Sequence, residues 1–349
     1  MDFHSRHDMI IGPFGVDESK PPRLSDIQAR QELKEPFVKL VLAAFSVLAL
    51  CSLPLAADPP ATAPAAAPSA HRVLAVAGGT EVTSEQLNDT MSRIPNLQAM
   101  SAQDRQNAEQ FYLRGLIAQV TIHKLLEKEK VQCSEAEVAA FAKQSFGQAA
   151  EKAGVTVDQF IKDSRIPQSD IIDRAGLNKI MMEASTREKV AAFIKSNPDY
   201  FNGTKVRASH ILIKCEPMDS TESQLAARKK LEDIAAKIQA GKISFEDAAK
   251  ANSEDDHSRN DGGDLKEFTF SKMVPGFAMA AFKLKKGETG PIVHTEFGFH
   301  LIKVADRVQG NDAQDPEAER IARAALCSQV GDRIMNMAIS GDCPVEIKK

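Results

Sequence analysis

Val206-Arg207-Ala208-Ser209-His210-Ile211-Leu212-Ile213-Lys214 is the stretch that decides how the second half of the chain folds. In an extended strand Ile211 and Ile213 fall on one face, His210 and Leu212 on the other. Working outward, a helix is predicted over Leu225 to Gln239, ended by Gly241. Ser244, with Asp247 three residues on, starts another. A polar loop from Asn252 to Asp261 closes on Gly262-Gly263-Asp264-Leu265. Then come a predicted helix holding Met273, Phe277 and Phe282, a turn at Gly287, and two β-prone runs ending in Phe297-Gly298-Phe299-His300-Leu301-Ile302. One strand, three helices and two closing strands, with a fourth short strand near Leu265, make a small α+β unit.

Four of these segments share the order and spacing of one family: Ala208 to Leu212, Gly262 to Leu265, Met273 with Phe277, and Phe297 to His300. Residues 205–308 thereby resemble the parvulin-type peptidyl-prolyl isomerases. The resemblance implies a four-stranded antiparallel sheet surrounded by helices, with an apolar slot for a substrate proline. It implies that His210 and His300 are the paired histidines at the sheet centre, with Asp255 the acid beside them. Leu265, Met273, Phe277 and Phe297 match the residues that hold the proline ring. On a helix, Met273 and Phe277 would share a face, being four apart. Asp256 and His257 directly follow Asp255, so the acid is open by one position, and spacing to the Gly-Gly turn favours Asp255. Members that read a phosphorylated residue before proline carry a basic cluster after the first strand. Here that loop is Cys215-Glu216-Pro217-Met218-Asp219-Ser220, which offers acid and no bidentate partner for a phosphate. A metal held by His210, His300, Asp255 and His257 is the rival reading. Paired strand histidines more simply satisfy each other, so no metal and no cofactor is called for.

Ahead of this unit the pattern is helical. Arg72 to Val76 is β-prone and Gly78-Gly79 makes a turn. Thr83 with Gln86, Ser134 with Glu137, and Thr156 with Gln159 each carry the capping-box spacing of a helix start. A long helix is predicted from Ala102 to Lys130, its apolar residues recurring at three- and four-residue steps. His123 within it has no partner at metal spacing. Residues 72–200 thus read as a mainly α-helical, chaperone-like domain with a hairpin at its front. This order of elements resembles the N-terminal regions of the SurA and PrsA chaperones. Residues 311–349 hold one predicted helix, Pro316 to Ala338, and a tail; the same resemblance implies that it folds back on the helical domain.

The first residues speak of location. Leu40 to Leu50 is an uncharged apolar run, too short before Pro54 to span a membrane in comfort. It fits the core of a signal peptide over residues 38–57, with small residues at Ala56 and Ala57 for cleavage. Residues 58–71 are Pro/Ala-rich and read as a linker. Residues 1–37 are a poor signal-peptide start, and translation from Val38 is one explanation. Leu48-Ala49-Leu50-Cys51 faintly resembles a lipoprotein cleavage site, which leaves a lipid anchor at Cys51 as the lesser alternative. The net charge of −4, the absence of Trp and the two Tyr argue against a nucleic-acid surface. None of the five cysteines forms a Cys-x-x-Cys pair, and Cys327 and Cys343 are open between a disulfide and two free thiols.

The expectation is an exported or periplasmic isomerase, not phospho-specific, that assists folding and acts also as a chaperone. Its partners would be unfolded or partly folded exported polypeptides with X-Pro bonds, without nucleic acid and with membrane contact only through the signal segment or the Cys51 anchor. The alternative is a holdase that uses the parvulin unit only to bind. A third reading makes residues 72–200 a docking module for one membrane-associated partner.

Overall fold

The computed structural model describes residues 72–94, 97–311 and 315–348. The expected signal segment, linker, Val38 start and Cys51 anchor lie outside the described residues. In chain order the elements are β1 (Val73–Ala77), β2 (Thr80–Thr83), α1 (Ser84–Ser92), α2 (Ala102–Glu129), α3 (Glu135–Ala153), α4 (Val157–Asp163), α5 (Gln168–Ala184) and α6 (Arg187–Ser196). There follow β3 (Lys205–Lys214), α7 (Thr221–Gln239), α8 (Phe245–Asn252), β4 (Asp264–Thr269), α9 (Pro275–Lys283), β5 (Val293–Thr295), β6 (Gly298–Val308), α10 (Ala318–Ser340) and β7 (Val345–Ile347).

Local chemistry explains most of the boundaries. Thr83 and Ser134 form complete capping boxes, with Gln86 and Glu137 returning the bond to the cap amide. Thr156 caps α4 through its hydroxyl, but Gln159 turns instead to Asp163, 2.6 Å away. Ser244 caps α8. The predicted helix holding both Met273 and Phe277 does not form: Met273 is extended, with φ −116° and ψ 160°. Pro275 forbids a helical Val274 before it and starts α9 itself. Likewise the last helix starts at Ala318 rather than Pro316, which sits in the preceding turn.

The strands of the second half form an antiparallel sheet in the order β4-β3-β6-β5. One face carries Ile211, Ile213, Phe299 and Leu301, covered by Leu231 and Ile234 of α7 and by Phe245, Ala248 and Ala249 of α8. The other carries Val206, Ala208, Ile302 and Val304 beneath α9, with Ala318, Ile321, Ala322 and Ala325 of α10 joining that core. Alternation along the strands therefore builds two apolar layers around one sheet.

The helical body has its own core, where Leu113, Ile117, Leu125 and Leu126 of α2 meet Leu177 and Ile180 of α5 and Val330, Ile334 and Met337 of α10. A second, three-stranded sheet, β2-β1-β7, lies against it. The hairpin was foreseen; its third strand, built from the last residues of the chain, was not. β7 pairs with β1 from Ala75↔Ile347 to Ala77↔Val345. Cys327 and Cys343 are free thiols in separate surroundings: Cys327 lies near the Met181 carbonyl and buried Cys343 near Thr121. His123 meets Asp173 across the helix pair, Nδ1 to Oδ1 at 3.1 Å.

Candidate active site

Register brings the two strand histidines together. His210 of β3 stands opposite Ile302 of β6, and Leu212 opposite His300. His210 and His300 are thus diagonal neighbours on one face, within reach of each other. Their Nδ1 atoms are 3.2 Å apart and their rings stack at 5.4 Å. Both are buried.

The second nitrogen of each ring has a partner. His210 Nε2 lies 3.0 Å from Asp255 Oδ2, in the loop after α8. His300 Nε2 lies 2.7 Å from Thr295 Oγ1 at the end of β5. Ser258 donates its hydroxyl to the same Asp255 oxygen, and the His257 amide donates to Oδ1 at 3.3 Å. Asp256 instead faces solvent, Lys214 and Arg259. Sequence reasoning missed Thr295 and Ser258, since a single hydroxyl two or three positions from a motif carries no spacing signal.

Electrostatics fix the proton positions. Burial pushes His210 below the ordinary imidazole value, against the pull of Asp255. Burial and the neighbouring imidazoles push His300 down to about 3. Burial alone would raise Asp255, but the bonds from Ser258 and His210 outweigh it and hold the carboxyl at about 2. Two neutral imidazoles beside a carboxylate allow one consistent assignment of donors. His210 Nε2–H donates to Asp255, leaving His210 Nδ1 to accept from His300 Nδ1–H. His300 Nε2 then accepts from the Thr295 hydroxyl, and Thr295 Oγ1 accepts the Phe297 amide at 3.2 Å. Every bond in this chain runs the same way, toward Asp255.

An apolar wall stands against the rings. Phe277, fully buried near the start of α9, meets His300 edge-on at 5.3 Å and His210 at 5.6 Å. Leu265 and Met273 are half-buried and pack on the same core. Phe297, in the turn between β5 and β6, leaves 48% of its surface open to solvent, an uncommon exposure for so large an apolar ring.

Two glycines make this packing possible. A Cβ on Gly263, φ +81°, would lie 2.2 Å from the His210 carbonyl oxygen. One on Gly298, φ +125°, would lie 2.2 Å from that of Ile213. Both glycine motifs therefore lie hard against the strand that carries His210.

Behind the Phe297 turn is an acid pair. Glu296 Oε1 is buried without a partner, and burial raises its carboxyl above the usual range. Asp332 of α10 lies over the start of α9, its oxygens 3.6 and 3.8 Å from a Cβ placed on Gly276. Burial, with Glu296 adding to it, pushes Asp332 up to about 7. No group of three or more His, Cys, Asp or Glu side chains able to hold a metal occurs among the described residues.

Comparison with known proteins gives the same segment an independent reading. Residues 210–306 match the family model described as rotamase, PPIC-type PPIASE domain. A chaperone SurA from Sodalis glossinidius is 43% identical over 120 residues, 34% of this chain and 27% of that protein. A chaperone SurA from Salmonella choleraesuis is 45% identical over 123 residues, 35% of this chain and 28% of its own length. The chain thus spans little more than a quarter of the length of these curated relatives. A solved peptidylprolyl isomerase, PrsA from Bacillus anthracis, is 24% identical, covering 66% of this chain and 96% of its own, with a TM-score of 0.29.

Proposed function

We propose, from the premise that residues 210–306 are a parvulin-type domain, that the protein is a peptidyl-prolyl cis-trans isomerase acting on unfolded or partly folded exported polypeptides. The observation that carries this is the line of neutral His300 and His210 ending on ionised Asp255, set against the buried edge of Phe277.

An X-Pro bond turns slowly because amide resonance imposes a barrier of roughly 18–20 kcal/mol. The two planar isomers differ by only about 0.5–1 kcal/mol, so no bond need be made or broken. Catalysis requires that the twisted amide be held better than either planar form. Phe277, Met273, Leu265 and Phe297 would clamp the pyrrolidine ring and keep water from the amide. Loss of water disfavours the charge-separated resonance form and so weakens the partial double bond. His210, His300 and Asp255 would act as a fixed polar floor rather than as nucleophile or base, since each of their protons is already committed to a neighbour. The acidic loop at Glu216 and Asp219 supports a site that does not select phosphorylated residues.

In this reading residues 205–308 are an isomerase unit and residues 72–200 with 311–349 a helical, chaperone-like body. The apolar run Leu40 to Leu50 supports export to the periplasm or cell envelope through a signal peptide, with lipidation at Cys51 the lesser option.

The test is a protease-coupled assay on a prolyl peptide, run beside suppression of aggregation of an unfolded protein. The expected result is turnover by the wild type that falls in the His210→Ala, Asp255→Ala and Met273→Ala variants. Suppression of aggregation without any rate gain would leave a holdase and end the isomerase reading.

A further inference from the structure

The loop Cys215 to Ser220, just beyond the catalytic strand, is tied to the helical body rather than left free. Met218, at φ +67°, is buried in that body's core among residues of α2, α5 and α10. Thr121 of α2 lies 3.6 Å from its sulfur. Beside it, Arg114 of α2 donates from Nε and Nη2 to Asp219 Oδ1, at 3.2 and 3.0 Å. Each partner keeps about a quarter to a third of its side-chain surface exposed, so the pair is shielded on one side only.

From Asp219 the hydrogen bonds lead on to the site. Asp219 Oδ2 accepts the Glu216 amide at 3.1 Å, and the Asp219 carbonyl accepts from buried Gln224 at 2.8 Å. One residue back, the Cys215 amide donates to the Phe297 carbonyl at 3.4 Å. The Phe297 amide holds Thr295 Oγ1, and Thr295 holds His300. A side chain of the helical body is therefore linked, by hydrogen bonds and short pieces of backbone, to the one exposed aromatic of the proline slot and to an imidazole.

We propose that Arg114 is a positioning residue for the isomerase site, acting through Asp219 on the Phe297 turn. The proposal rests on the isomerase reading above and adds that the helical body sets how well a substrate fits. With the pair intact, loop 215–220 is stiff and Phe297 is held over the slot. Without it, the loop keeps the buried Met218 and the Gln224 bond to the Asp219 carbonyl but loses its ion pair to α2, and the Phe297 carbonyl has a less fixed partner.

A double-mutant cycle measures this coupling directly. Using the full chain, kcat and KM for a prolyl peptide are measured for wild type, Arg114→Ala, Arg114→Lys, Asp219→Asn, Phe297→Ala and the Arg114→Ala/Phe297→Ala double variant. Arg114→Ala is expected to raise KM about five-fold with kcat within about two-fold, the sign of lost substrate fit. Asp219→Asn should act in the same direction, and Arg114→Lys should recover part of the loss through its single charge. In the Phe297→Ala background, Arg114→Ala should have no further effect. Multiplying effects in the double variant, or an unchanged KM in both Arg114→Ala and Asp219→Asn, would overturn the proposal while leaving the isomerase reading intact. An inactive wild type would remove both. Should Arg114→Ala fail to fold, as judged by circular dichroism, Asp219→Asn paired with Phe297→Ala runs the same cycle.

Discussion

Replacing Asp332 by Asn should stabilise the protein at pH 8 and change nothing at pH 4. Asp332 is pushed up to about 7 by burial and by Glu296, against 3.8 for an ordinary Asp. The folded state therefore holds its proton over a range where the unfolded chain has released it. Stability from the bound proton is complete below 3.8 and is lost as pH rises through about 7. Three pKa units at about 1.36 kcal/mol each set an upper bound of about 4 kcal/mol. Local relaxation and water reaching the half-buried carboxylate bring the expected value nearer 2 kcal/mol. Asn keeps the shape of the protonated acid, so it gains this amount only where the wild type is ionised. Thermal melts across the pH range should show the variant about 5 °C higher at pH 8 and the curves merging in acid. A variant destabilised equally at both ends would show that Asp332 acts as a needed acceptor instead, for example of the α9 amides, and would refute the argument.

Gly298→Ala should cost about 3 kcal/mol or more in urea unfolding, because its Cβ would meet the Ile213 carbonyl and Cys215 amide and force β6 away from β3; a loss under about 1 kcal/mol would contradict the close approach. Turnover should be flat from about pH 6 to 8 and fall only in acid, since His210 sits below its ordinary value and must stay neutral to accept from His300. The same depressed imidazoles contribute stability above pH 6.5 that is lost as pH falls through their lowered values. Phe277→Ala should cost about 3–5 kcal/mol, being fully buried, whereas Met273→Ala should cost about 1 kcal/mol yet still lose most turnover. Unchanged turnover in Met273→Ala would remove it from the proline slot.

The readable parts of the sequence are those whose information is local. Thr83 with Gln86 and Ser134 with Glu137 announce their helices because a cap is a contact between residues three apart. The alternation around His210 fixes its face of the strand, and the glycines at 262–263 and 298 mark where backbones touch. Met273 shows the opposite case: four residues before Phe277, it has helical spacing, but Pro275 between them overrides the pattern. What stayed hidden is non-local or silent. Val345-Glu346-Ile347 is too short for a period, and its partner β1 lies at the other end of the described chain. Arg114 and Asp219 are ordinary charges until the fold sets them side by side. Asp332 looks like a surface helix residue, and only packing against the Glu296 turn makes its charge costly.

The sheet that joins β7 to β1 is assembled from strands far apart in a chain that is made amino end first. β1 emerges early, while the strand that covers its edge follows every other described strand and helix. In the interval β1 presents unpaired backbone groups, the kind of edge that recruits foreign strands. The four-stranded sheet, whose strands lie within residues 205–308, can be complete before the helical body is. The newborn molecule can thus have its four-stranded sheet closed while one edge of its first strand, paired only with β2, still waits for β7.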